Sequence, residues 1–140
     1  MKSTMWRTVS FSAFSALLVC SSVGAANRMT VVSSHPPSKS KADLASRGEL
    51  NIYVEVDGKV ILFDTGGKDS PLLSNFVELG LDPSIVEAVV ISHGDTVHTY
   101  GLPDVLGATA MKPTVYVPAA AGEATSQRNP GVTVLSLIHI

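Results

Sequence analysis

One cysteine, Cys20, occurs in 140 residues. An internal disulfide is therefore excluded. Cys20 also falls inside an N-terminal stretch that reads as cleaved, which would leave the mature chain without a thiolate for metal ligation or nucleophilic attack. Basic residues are sparse. Ten Lys and Arg stand against twelve Asp and Glu, a formal net charge of −2, and Lys39-Ser40-Lys41 is the only basic cluster. Nothing here points to nucleic acid or an anionic membrane surface as a partner. Histidine is missing between Thr99 and Val134. The apolar stretch from Val9 to Cys20 is too short to span a bilayer, so no membrane span is expected.

What is present starts with an export signal. Lys2 and Arg7 form a charged start, Val9 to Cys20 a short apolar core, and Val23-Gly24-Ala25 a small-residue cleavage site. Residues 1–25 are expected to be removed, giving an exported protein, periplasmic or secreted. The alternative is an ordinary apolar N-terminal helix. Leu17-Leu18-Val19-Cys20 is a poor lipidation box, because Val precedes the cysteine. At the other end, Leu135-Ser136-Leu137-Ile138-His139-Ile140 resembles translated transposase adapter from sequencing libraries. Residues 135–140 are expected to be non-native, with residues 26–134 forming a partial domain. The competing reading is a real β-strand, since the segment is apolar and β-prone.

Between these ends the pattern alternates. Asn27 to Arg47 is polar and reads as a loose leader with one short strand at Met29–Val32. Leu50 to Val56 and Lys59 to Phe63 are β-prone runs joined by Asp57-Gly58, the residues of a tight hairpin turn. Ser70 and Pro71 suit the start of a helix, Leu72, Leu73, Phe76, Val77 and Leu79 fall at helical spacing, and Gly80 stops it. Asp82-Pro83-Ser84-Ile85 reads as a short helical turn. Ala88 to Ser92 is a buried strand, Leu102 to Leu106 a short helix, and Thr114 to Val117 a strand closed by Pro118. Ala119 to Pro130 reads as a loop. Strands alternating with helices predict an α/β layered domain.

The chemistry concentrates in residues 93–98, His-Gly-Asp-Thr-Val-His, at the end of the buried strand. Two imidazoles and a carboxylate crowded at a strand end are ligands of the kind a divalent metal takes. The segment resembles the metal-binding loop of the metallo-β-lactamase fold superfamily, His-x-His-x-Asp-His, in degenerate form. The resemblance runs over about Gly48 to Val117 and includes Asp64-Thr65-Gly66 at a strand end and Ser92-His93-Gly94. It is strongest to the group resembling dihydropterin-type phosphate synthases. It implies the N-terminal half of a four-layer αββα sandwich, a metal-dependent hydrolase acting on a small-molecule substrate, and a divalent metal, Zn²⁺ first, with Mn²⁺ or Fe²⁺ as alternatives.

Carried over residue by residue, the resemblance puts His93 and Asp95 at a first metal and His98 at a second, with Asp64 supporting a ligand histidine from behind. Asp95 stands where the family has His and remains a usable oxygen ligand. Val97 stands where the family has Asp and cannot bind a metal, so the second site is expected to be lost. No residue is singled out as catalytic. The family's remaining ligands lie in a C-terminal half that is not found here, which implies that the chain is truncated and inactive as given. The alternative is a pseudoenzyme or binding protein of the same fold. A remote alternative takes Asp64-Thr65-Gly66 as the catalytic triplet of a retropepsin-like aspartic protease. Neither the substrate nor the oligomeric state follows from the sequence.

Overall fold

The computed structural model describes residues 26–34 and 48–137. The signal at residues 1–25, His35 and residues 138–140 lie outside the described residues. Among the described residues six strands form one sheet in sequence order: β1 (Arg28–Ser33), β2 (Asn51–Val56), β3 (Lys59–Phe63), β4 (Ala88–Val90), β5 (Thr114–Pro118) and β6 (Val134–Leu137). The first three are antiparallel; β3 to β6 run parallel. Four α-helices among the described residues are interspersed: α1 (Leu72–Leu79), α2 (Thr96–Thr99), α3 (Leu102–Ala108) and α4 (Ala119–Arg128).

The local signals work as their chemistry demands. Asp57 and Gly58 take φ of 49° and 76°, and Val56 pairs with Lys59 across the two-residue turn. Gly80 closes α1 at φ 65°, and its N–H bonds back into the last turn. Asp82 accepts from the Ser84 N–H at 2.8 Å and starts a 3₁₀ turn at Pro83–Ile85. The helix start is shifted by one residue from expectation. Pro71 occupies the cap position, while the Ser70 hydroxyl accepts from the Leu72 N–H and donates to buried Glu49.

Residues 119–130 correct the sequence reading. They form helix α4 up to Arg128, not a loop. The apolar stripe that would announce it is missing, because the helix buries small residues, Ala121, Gly122 and Thr125. Ala-rich sequence has the backbone preference for helix without the side-chain pattern.

The register sorts each strand into two rows. Tyr53, Leu62, Val89 and Val115 pair across the sheet and face the core, where Leu72 and Phe76 of α1, Leu102 and Val105 of α3, and Ala121 of α4 join them in one cluster. The helices therefore cover one face. The opposite row, Val31–Ile52–Phe63–Val90–Tyr116–Leu135, crosses all six strands. It is apolar throughout but only half-buried, with Val31 48% and Leu135 45% exposed at its ends. Leu135–Leu137, the start of the segment expected to be non-native, pairs with β5.

Candidate functional site

Parallel strands β3 and β4 end side by side, and the site is built on their carboxyl ends, the place where open α/β sheets bind ligands. The chain leaves β3 at Asp64, whose N–H bonds to Val90 O of β4 at 2.8 Å. Asp64 has φ 56°, a left-handed conformation that a non-glycine residue holds only where its surroundings enforce it. Three bonds enforce it here. One carboxylate oxygen accepts from the Ser92 N–H at 2.7 Å; the other accepts from the Ser92 hydroxyl at 2.7 Å and from Nδ1 of His98 at 2.8 Å. The side chain is 1% exposed. A buried carboxylate with its lone pairs so engaged is a fixed framework group.

Thr65 grips the same histidine by its backbone. The Thr65 N–H and hydroxyl both donate to His98 O, at 3.0 and 2.9 Å. Gly101 N–H then donates to Gly66 O at 3.0 Å, so the turn after β3 holds both ends of the His98–Gly101 segment. The approach is close enough to require glycine at 101: a Cβ there would lie 2.0 Å from Thr65 O. α4 covers the other side of the loop, with Ala121 3.3 Å from the position of a Cβ on Gly94.

Of the three residues expected to be metal ligands, His93 lies beside each of the other two. The His93 and His98 rings sit 4.0 Å apart, centroid to centroid, and Nε2 of His93 lies 3.3 Å from Asp95 Oδ2. The His93 ring is half-exposed, and its Nδ1 contacts the Ser92 hydroxyl at 2.9 Å. The result is two imidazole–carboxylate pairs, His93 with Asp95 and His98 with Asp64. Among the described residues no three His, Cys, Asp or Glu side chains form a group able to hold a metal ion. A zinc site takes three or four protein ligands. The described residues therefore do not fit a complete divalent-metal site. Val97 is 44% exposed on the same loop and adds no donor.

Ser92 and Thr65 were not singled out in the sequence. Both lie inside the short motifs that were, but what they do depends on β3 and β4 being neighbours. Tyr100 is 44% exposed, and the Arg128 guanidinium lies over its ring at 5.3 Å. Asp104 is exposed in the first turn of α3.

Residues 48–132, more than half of the chain, match the family model described as the metallo-beta-lactamase superfamily. The chain belongs to this superfamily. Solved structures agree on the fold. The metallo-β-lactamase MIM-1 from Novosphingobium pentaromativorans is 25% identical, with a TM-score of 0.51, over 66% of this chain and 37% of that one. Rubredoxin oxygen:oxidoreductase from Desulfovibrio gigas is 24% identical, with a TM-score of 0.55, over 64% and 23%. A Cronobacter sakazakii metallo-β-lactamase is 18% identical, with a TM-score of 0.53, over 64% and 39%. The chain thus spans well under half the length of these superfamily structures. No curated protein sequence gives a significant match. The expected α/β class and the metallo-β-lactamase fold are borne out.

Proposed function

We propose that this chain carries part of a metal-dependent hydrolase acting on a small-molecule substrate, with His93, Asp95 and His98 its contribution to the ligand set. The observation that supports this most directly is the anchoring of His98. Asp64 holds its ring and Thr65 its carbonyl, which directs Nε2 as the nitrogen left for a ligand. Histidines that bind metals are held in this way, with the other ring nitrogen on a carboxylate. Hydrolysis rather than redox chemistry rests on the metallo-β-lactamase relatives, against which the oxygen:oxidoreductase stands as the rival activity. Zn²⁺ is the first choice of ion, with Mn²⁺ or Fe²⁺ favoured to the extent that Asp95 supplies a hard oxygen. Residues 1–25 support export. No helix among the described residues is long and apolar enough to cross a membrane.

A second reading is favoured by two observations: Val97 offers no donor, and Asp95 is already paired with His93. Under it, the loop is a decayed site kept for binding. The aspartic-protease reading fails on Asp64, which is buried under three hydrogen bonds instead of lying open to share a proton with a second carboxylate. Elemental analysis together with an ester and lactam hydrolysis panel separates the first two readings, using protein that includes whatever sequence follows residue 134 in the gene. Bound metal together with chelator-sensitive hydrolysis supports the hydrolase. Absence of both supports the decayed site.

A further inference from the structure

We propose that the cavity between α4 and the α2–α3 junction binds a small organic carboxylate with an aromatic or other compact apolar body. Thr99, Tyr100, Pro103, Thr125, Arg128 and Asn129 line it; it is half-open to solvent and offers about 270 Å³. A dry cavity of roughly 150 Å³ holds benzene, so this one has room for a ring and a carboxylate.

The wall is mostly apolar, with a few polar groups converging on it, the usual composition of a small-molecule site. Arg128 supplies the charge. Its Nε is fixed on Ala124 O at 3.0 Å, and its guanidinium is seated over the Tyr100 ring. That leaves the two terminal nitrogens as a fork for a planar carboxylate. Among the described residues Arg128 joins no ion pair; those formed by arginine and lysine belong to Arg28 and Lys59.

Asn129, on the wall, spends a side-chain N–H on Thr125 O at 3.0 Å, which leaves its amide oxygen to accept. The favourable effect of a cation at the end of α4 accounts for Arg128 alone; it explains neither the cavity nor the seat of the guanidinium over Tyr100. The site lies on the helix-covered side of the sheet and uses none of His93, Asp95 or His98, so it stands independently of the hydrolase reading.

The test is a calorimetric or NMR titration of the 140-residue chain with benzoate and phenylacetate, set against the neutral benzamide and benzyl alcohol. Saturable binding of a carboxylate but not of its neutral counterpart is expected. Arg128→Gln, an exposed position, should weaken it about tenfold or more through loss of the charged fork. Circular dichroism of the variant matched to the parent secures the comparison. Equal binding of neutral and charged probes, unchanged affinity in Arg128→Gln, or no saturation by either carboxylate overturns the proposal.

Discussion

Asp64 and His98 are 34 residues apart in sequence and 2.8 Å apart in space, the imidazole Nδ1 donating to a carboxylate that is 1% exposed. The same carboxylate holds the backbone and hydroxyl of Ser92. One side chain thus ties the end of β3 to both ends of the His93–His98 loop. Asp64→Ala would leave the Ser92 N–H and His98 Nδ1 without their acceptor. We expect it to cost about 3 kcal/mol in urea unfolding, with Asp64→Asn about half as costly, because the amide still accepts through one oxygen. A loss under about 0.5 kcal/mol in the alanine variant would show that this bond network does not organise the site.

Two glycines on neighbouring turns should behave in opposite ways. Gly101→Ala places a methyl 2.0 Å from Thr65 O, a rigid backbone atom, and is expected to destabilise by about 3 kcal/mol or more. Gly107 lies within α3 with open space around its Cα. Gly107→Ala should stabilise by about 0.5–1 kcal/mol, since alanine is the better helix residue. Thermal melts of the two variants give the comparison directly.

The two rows of the sheet predict unequal sensitivity at adjacent positions. Leu62 faces the core and is fully buried, while its neighbour Ile61 is half-buried on the open face. Leu62→Ala should cost about 2–5 kcal/mol. Ile61→Ala should cost about 1 kcal/mol or less in this chain, because little apolar surface there is withdrawn from water. Equal losses would mean that the open face is covered in solution.

For the metal loop, protein stripped with a chelator and re-exposed to zinc is expected to retain less than one equivalent after dialysis. The double variant Asp95→His with Val97→Asp exchanges a carboxylate for an imidazole and adds an oxygen donor beside His98, and should raise zinc affinity by about tenfold or more. Two tightly held metals in the unaltered chain would show that Val97 does not abolish the second site.

Alkaline unfolding should report on Tyr53. Burial chiefly, helped by the nearby Glu55 and Asp82 charges, pushes its pKa above the ordinary 10.0. The folded state therefore holds the phenol neutral at pH values where the unfolded chain ionises. Its contribution is complete below about pH 10 and falls away as pH rises through the folded value. Tyr53→Phe removes that dependence, at the loss of the hydrogen bond to Asp82 O. A denaturation midpoint that falls equally steeply above pH 10 in both proteins would place the alkaline limb elsewhere.

The parts of this protein legible in the sequence are those decided by residues close together along the chain. Asp57-Gly58 needs only its own φ angles to make the hairpin, Gly80 only its own to stop α1, and Asp82 only the N–H two residues on. The metal-loop motif was equally local, as was the loss of a donor at Val97. α4 escaped because Ala121, Gly122 and Thr125 bury too little side chain to leave a periodic signature; it is held by the sheet edge beneath it. The pairing of Asp64 with His98 and Ser92, the grip of Thr65 on His98 O, and the demand for glycine at 101 were decided only when β3 and β4 came side by side. Hydrogen bonds across some thirty residues follow from strand order and register, and no local pattern encodes those. The same register turned six separate apolar residues, Val31 to Leu135, into one continuous face, since alternation along a strand assigns a side chain to a face but only the assembled sheet lines the faces up.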